Sequence, residues 1–523
     1  MDALTSEFAQ LQDSIDRVSA QYDELPYSSR PFAKSHPARL AATAQLFGLK
    51  APPVEKARVL ELGCASGGNL IPHAAFFPDA QFVGVDLGKR QVEDGRGRIE
   101  RLGLRNIELH CMSLTDIDER FGQFDYIISH GVYSWVPAPV RDALLKVTRE
   151  RLSTEGIAYV SYNVLPGWRL NQPLRDAFRL LIPDSHSPLD RVRMVRSLLE
   201  FFRDNAVDNS PFGAMLRNAP ERLAGLPDDY VFHEYMEEAN EPVAFSQFAE
   251  HAKANGLTFL AESELQTMFA DNYRPGLADA IRSRTTGDLV TSEQLIDFLT
   301  GRAFRQTLLV ASEHAGEIGS VLSPERMEGL HFLASAGMKL EVGNGATRLT
   351  DARGRTMQSK EPAVGRAMQV MLARHPESTT LDQCADNMAP PQRHAVADAL
   401  MRMVMAGILD ISSVPLPAGR AGARPRATAL ARDDAATERD VTTNRRHEMV
   451  QIDPAACALL PHLDGKTDRK ALAELLAEAA VAGTLRFQRN GRVESDPERL
   501  RAVARELLPK VLDSIARSGL LEP

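Results

Sequence analysis

Val59-Leu60-Glu61-Leu62-Gly63-Cys64-Ala65-Ser66-Gly67-Gly68-Asn69 is the stretch that decides the fold. A short apolar strand runs into small residues, and a helix opens behind them. Small side chains let backbone pass close to a ligand, and N–H groups at a helix N-terminus face it. A second strand, Phe82–Val85, ends on Asp86, 23 positions after Gly63. A carboxylate there can accept both hydroxyls of a ribose. Working outward, Gln91–Leu102 reads as a helix closed by Gly103, Ile107–Cys111 as a third strand and Tyr126–Ser129 as a fourth. Val140–Leu152 is helical and Ile157–Tyr162 is a fifth strand. This alternation predicts an α/β fold with a parallel, doubly wound, Rossmann-like sheet.

The loop departs from the dinucleotide fingerprint in two ways. Ala65 replaces the second glycine, the residue that makes room for a pyrophosphate. Glu61 stands two residues before Gly63, where an acid can help hold an amino-acid end. Both features favour S-adenosylmethionine over a nicotinamide cofactor. The expected cofactor contacts are Glu61, Gly63, Cys64, Ala65, Gly67, Asn69, Asp86, Leu87, Met112, Ser113 and His130. Met112 reads equally well as core filler.

The fourth strand runs into Ser129-His130-Gly131-Val132-Tyr133-Ser134-Trp135-Val136-Pro137, and the fifth into Asn163 and Trp168. Strand C-termini line the crevice in this fold, so the loop after the fourth strand should face the reacting group, while Trp168 also reads as a packing residue. Tyr133 and Trp135 are expected as aromatic walls for a substrate amine, an attraction worth roughly 0.5–2 kcal/mol. Asn163 would orient the nucleophile. His130 is a base or polar partner on one reading and a hydrogen-bonded structural histidine on the other. Glu234, in Phe232-His233-Glu234-Tyr235, either attracts a lysine or forms a helical salt bridge.

The rest of the 523 residues divides by pattern; about 150 residues per domain would give three or four domains. Leu4, Phe8, Leu11, Ile15 and Val18 form an amphipathic stripe. The expected divisions are 1–50, a helical lid and dimerisation segment; 51–175, the cofactor-binding core; 176–244, a helical insertion; and 245–340, a region completing the sheet. They continue as 341–415, a winged-helix-like unit; 416–440, an Ala/Arg/Pro-rich flexible linker; and 441–523, a second helical or winged unit. Leu257–Leu260 and Phe304–Val310 supply the completing strands.

A net charge of −9 argues against nonspecific nucleic-acid binding, which needs a basic surface. The four cysteines form no CxxC pair and predict no metal site. An acidic N-terminal stretch without an apolar run is unlike a signal peptide, and no segment has the ~20 apolar residues that span a bilayer. A cytoplasmic protein is expected.

Tyr22–Tyr27, Ser35–Leu40, Val59–Asn69, His130–Pro137 and Ser161–Trp168 together resemble the class I methyltransferases that carry a methyltransferase regulatory domain. That group includes the rickettsial outer-membrane-protein lysine methyltransferases. Pro242–Phe245, Gly256-Leu257 and Phe304–Leu309 resemble its regulatory region, and Thr443–Glu448 with Leu463–Gly465 its C-terminal part. The resemblance implies a Rossmann core, a helical middle, a winged C-terminus, a homodimer engaging the N-terminal segment, and methylation of lysine on a surface or outer-membrane protein. A small-molecule methyltransferase and a non-enzymatic regulator that binds S-adenosylmethionine are the alternatives.

Overall fold

Arg58–Leu62 (β1) is buried from Val59 onward, because helices cover both faces of the sheet it centres. That is why Val59, Leu60 and Leu62 are apolar on both faces, with Glu61 the one polar residue among them, in place of an alternation. The computed structural model describes residues 25–523 apart from 208, 320, 490, 491 and 495. The helix expected over residues 1–20 lies outside the described residues.

α1 (Pro37–Leu46) precedes β1, and α2 (Leu70–Phe76), β2 (Gln81–Asp86), α3 (Lys89–Leu102) and β3 (Ile107–Cys111) follow it. Next come β4 (Phe124–Ser129), α4 (Ala138–Arg151) and β5 (Leu152–Asn163). The first five residues of β5 include Ser153, Thr154 and Glu155, so its apolar pattern shows only the second half. A helical insertion then comprises α5 (Gln172–Leu181), α6 (Pro188–Asn205), α7 (Pro211–Ala224) and α8 (Asp228–Met236). It closes around Phe178, Val195, Leu199 and Phe232. The chain returns through α9 (Phe245–Ala254) to β6 (Leu257–Glu262), then through α10 (Leu277–Thr285) and α11 (Leu289–Thr300) to β7 (Phe304–Ala311).

The seven strands lie in the order β3-β2-β1-β4-β5-β7-β6. β1 to β5 pair in parallel, and β7 runs antiparallel to both neighbours. Strand order reverses between β1 and β4, and ligands in open α/β sheets bind beyond the strand C-termini at such a point.

β8 (His331–Leu333), the hairpin strands β9 (Lys339–Gly343), β10 (Ala346–Thr350) and β11 (Thr356–Ser359), α12 (Pro362–Arg374), β12 (Thr379–Thr380), α13 (Leu381–Cys384), α14 (Pro390–Met405) and β13 (Asp410–Ser412) follow. β8 sits between β12 and β13 beneath the three helices, a winged-helix-like arrangement. Its strand β8 comes from before residue 340, and a three-residue strand carries too little periodicity to be read from sequence. Phe332, Met368 and Leu400 share one core with α1 and with Tyr126 of β4. The final unit holds α15 (Ala429–Ala436), β14 (Val441–Thr443), β15 (Met449–Gln451), α16 (Pro454–Leu459), α17 (Arg469–Val481) and α18 (Pro497–Arg517) around its own core of Leu459, Leu472, Leu476 and Leu512.

The stretch 416–440 is not the loose linker its composition suggests. It contains α15, capped by Thr428 Oγ1 accepting from the Ala431 N–H, with Leu430, Ala431 and Ala435 buried. Asp434 pairs with Arg98 of α3 at 2.7 Å, both side chains almost wholly buried. Alanine-rich sequence allows close helix packing as readily as it allows flexibility, and here the packing partner is remote in sequence. Among the described residues, no helix is long and apolar enough to cross a membrane.

Candidate active site

The turn after β1 is bent into a tight cradle. Gly63, Ala65 and Gly67 all take positive φ, and the N–H groups of Gly63 and Cys64 donate to the Val85 carbonyl of β2. A Cβ on Gly63 would meet Val132 at 2.5 Å, and one on Gly68 would meet the Ser29 carbonyl oxygen at 2.3 Å. Glycine at these two positions therefore lets the loop approach both the β4 loop and the segment before α1. That segment lies across the cradle as a strap. Ser29 Oγ accepts from the Gly68 N–H at 2.7 Å, the Ser28 N–H donates to Asp229 of α8, and Gln91 donates to the Tyr27 carbonyl.

Together these elements enclose a cavity of about 540 Å3, within the usual range for a small-molecule site. Of the expected cofactor contacts, Glu61, Gly63, Cys64, Ala65, Asn69, Asp86, Leu87, Met112, Ser113 and His130 line it. Gly67 does not. It closes the turn by donating to the Cys64 carbonyl, and its α-carbon faces Ile71 and Leu109. Its left-handed φ, rather than ligand contact, accounts for the glycine.

Asp86 is held in place from two sides: the Ala65 and Gly88 N–H groups each donate to one of its oxygens at 2.8 Å. Glu61 is buried and accepts from Asn69 Nδ2 at 2.8 Å through Oε1, while its Oε2 has no hydrogen-bond partner among the described residues. Burial pushes its carboxyl up to about 8. An orphaned carboxylate oxygen at the end of β1 calls for a cationic ligand group, because an unpaired buried charge is costly. The residues present therefore suit S-adenosylmethionine: Glu61 for an amino group, Asp86 for ribose hydroxyls, and Leu87, Met112 and Ser113 beside an adenine.

Aromatic side chains form much of the remaining lining of the cavity. Trp135, Trp168, Tyr27, Tyr230 and Phe304 line it with Asn163, His233 and Glu234. Trp135 meets Trp168 edge to face, and the Arg175 guanidinium lies 5.7 Å from its ring centre. Asn163 is fixed by its backbone N–H donating to Ser134 Oγ. His130 stacks on Phe32 at 3.5 Å, with its Nδ1 2.9 Å from the Tyr159 hydroxyl, and burial holds its pKa down at about 3. It is a neutral imidazole with a hydrogen-bonded ring. Burial raises the Glu234 carboxyl to about 7, opposed by Arg175 and by the hydrogen bond from Tyr230. His233 bridges Glu237 and the Leu25 carbonyl at 2.7 Å each.

Tyr133 is not a cavity wall. Residues 133–135 form a 3₁₀ turn, in which side chains two positions apart diverge by about 120°. Trp135 enters the cavity, whereas Tyr133 is buried against α9, its hydroxyl 2.8 Å from His251 Nδ1 and its ring edge-on to Phe248. Tyr27, Ser29, Phe32, Gln91 and Tyr230 escaped the sequence reading, because nothing local marks a loop, the first turn of α3 or an insertion helix as reaching the strand ends. Among the described residues, no group of three or more His, Cys, Asp or Glu is placed to hold a metal ion.

A doubly wound sheet with its last strand antiparallel, a cradle of small residues after β1 and an acid at the end of β2 define the class I methyltransferases. Comparison with known proteins agrees. Residues 59–156 match the family described as methyltransferase domain, 227–311 the predicted methyltransferase regulatory domain, and 423–520 the PKMT C-terminal winged helix domain. An uncharacterized protein of Rickettsia prowazekii, RP789, is 32% identical over 522 residues, covering 96% of this chain and 93% of its own. A shorter one from the same organism, RP028, is 38% identical over 233 residues, 44% of this chain and 93% of its own. The structure of PKMT2 from Rickettsia typhi in complex with AdoHcy superposes with a TM-score of 0.84 at 27% identity, covering 95% of this chain and all of that one. The chain belongs to this family of S-adenosylmethionine-dependent methyltransferases, in which a regulatory region and a PKMT winged helix accompany the catalytic fold.

Proposed function

We propose that this enzyme methylates the ε-amino group of lysine in a protein substrate. The observation that carries the reading is Glu234, whose carboxyl burial raises to about 7 and which lines one cavity with Tyr27, Trp135, Trp168 and Tyr230 as well as with Glu61 and Asp86. A lysine ammonium titrates near 10.4 and must lose a proton before its lone pair can react. The aromatic faces attract the cation, burial lowers its pKa, and Glu234 accepts the proton. Trp135 and Asn163 orient the amine, while neutral His130 holds the β4 loop against Phe32 and leaves the charge balance to Glu234. S-adenosylmethionine, when bound, supplies an activated methyl group, and the protein contributes chiefly proximity and orientation.

The match to PKMT2 and to the PKMT winged helix supports a protein acceptor. In this reading the enzyme is cytoplasmic and works as a homodimer through residues 1–20. It acts on surface or outer-membrane proteins, and its C-terminal units dock protein rather than nucleic acid. The strap over the cavity favours the second reading, a small-molecule acceptor. The test is methyl transfer from labelled S-adenosylmethionine to a panel of purified surface proteins and of small amines, with mass spectrometry of the products. Lysine-borne methyl groups are expected; methylation confined to small amines would replace the reading with the second. Glu234→Gln should lower kcat at pH 7 by about 10²-fold or more, the scale of general-base catalysis, while leaving S-adenosylmethionine affinity within about twofold. An unchanged kcat would remove Glu234 from the mechanism.

A further inference from the structure

The C-terminal unit reaches the cofactor cradle through one side chain. His447 sits in the connection between β14 and β15 at φ +59 and is 1% exposed. Its Nε2 lies 2.7 Å from Asn69 Oδ1, and its ring stacks on His73 of α2 at 3.8 Å. The turn that presents it is braced by Asn444. Its Oδ1 accepts from the Arg446 and Glu448 N–H groups, and its Nδ2 donates to Glu448 and to the Ser518 carbonyl.

The hydrogen bonds fix the direction of the contact. The Phe32 N–H donates to Asn69 Oδ1 at 2.9 Å, so that atom is the amide oxygen, and Asn69 Nδ2 donates to Glu61 Oε1. An oxygen can only accept, so His447 Nε2 carries the proton. Its Nδ1 is then bare, and no partner meets it among the described residues. The sequence of donors runs from His447 to Asn69 to Glu61, a residue of the cavity lining whose other carboxyl oxygen has no partner among the described residues. Asn69 Oδ1 already accepts from the Phe32 N–H, so His447 adds a second donor to the same oxygen and fixes the amide orientation from the C-terminal unit, while its own Nδ1 stays unmatched.

We propose that His447 is a positioning residue for cofactor binding: from the C-terminal unit it locks the Asn69 amide, which in turn presents the Glu61 carboxylate to the amino group of S-adenosylmethionine. The inference rests on the assignment of Glu61 to that group. It makes the C-terminal unit part of the cofactor site, in addition to any role in docking an acceptor.

The test compares His447→Leu and His447→Gln in the full chain by calorimetric titration with S-adenosylmethionine and with its demethylated product. Both replacements share the cost of the left-handed backbone, but glutamine keeps an N–H donor at the ε position. The leucine variant should bind both ligands about tenfold or more weakly, the scale of one lost hydrogen bond to a partner of a charged group. The glutamine variant should stay within about threefold of wild type. Wild-type affinity in the leucine variant, or equal weakening in both, would overturn the proposal. Should the leucine variant not fold, the wild-type protein labelled with ¹⁵N-histidine gives a second readout. His447 should appear as the Nε2–H tautomer, and its proton resonance should move when S-adenosylmethionine is added. An Nδ1–H tautomer or an unmoved resonance would overturn it. Tight wild-type binding that survives Glu61→Gln unchanged would instead remove the assignment of Glu61 on which the inference stands.

Discussion

Glu61 should make cofactor affinity depend on pH below neutrality. Burial pushes its carboxyl up to about 8, because it penalises the anion more than the hydrogen bond from Asn69 favours it. At pH 7 only about a tenth of such a group is ionised, and at pH 6 about a hundredth. The α-amino group of S-adenosylmethionine, of a type that titrates near 7.7–8.0, is largely cationic over the same window. Binding pairs this cation with the Glu61 anion, so the proton must leave. Affinity should therefore rise about eightfold from pH 6 to pH 7, with a net release of about 0.8 proton per ligand at pH 7 once the small uptake by the ligand amine is included. Calorimetry in buffers of different ionisation enthalpy measures both quantities. Glu234, near 7, titrates nearby, so the same series on Glu234→Gln should retain the effect. Glu61→Gln, which still offers an oxygen to Asn69, should abolish it and bind more weakly throughout. His130, held near 3, contributes nothing in this window. An affinity flat between pH 6 and 7, with heats independent of buffer, would refute the pairing.

Asp86→Ala should weaken S-adenosylmethionine by at least about tenfold, because the ribose hydroxyls lose their acceptor and the Ala65 and Gly88 N–H groups lose theirs; unchanged affinity by calorimetry would contradict the placement of the ribose. Asp434→Asn leaves Arg98 buried without its counter-charge and should cost about 3–5 kcal/mol of stability. A denaturation midpoint equal to wild type would show that α15 is not anchored through this pair. Deleting residues 1–20 should shift the particle toward monomer, and an unchanged mass by light scattering would reject the dimer arm.

The nucleotide-fold half was legible because its signals are local. The run Val59–Leu62, the small residues behind it and Asp86 each announce their place within a few positions, and part of each of the seven strands of the large sheet can be read from its local pattern. What sequence concealed depends on contacts between distant stretches. The strap at Tyr27–Phe32 has no periodicity of its own, and Gly68 shows its purpose only when Ser29 is found against it. The misplacement of Tyr133 has a simpler origin: aromatic residues two apart in a loop look like joint walls until the 3₁₀ turn separates them. The reading of 416–440 as a linker failed because Asp434 finds Arg98 more than three hundred positions away.

The helical insertion between β5 and β6 has an evolutionary consequence. Tyr230, His233 and Glu234 reach the cavity from α8, whose hydrophobic centre is separate from those of the sheet. Glu61 and Asp86 belong to the sheet itself. The wall that would grip an acceptor is therefore composite: Trp135 and Asn163 come with the sheet that carries the donor site, whereas Tyr230 and Glu234 are inherited on a separate stretch of chain. Substitutions on α8 can retune what is modified while Glu61 and Asp86 stay intact, so relatives sharing the cradle after β1 can diverge in target by remodelling the four insertion helices.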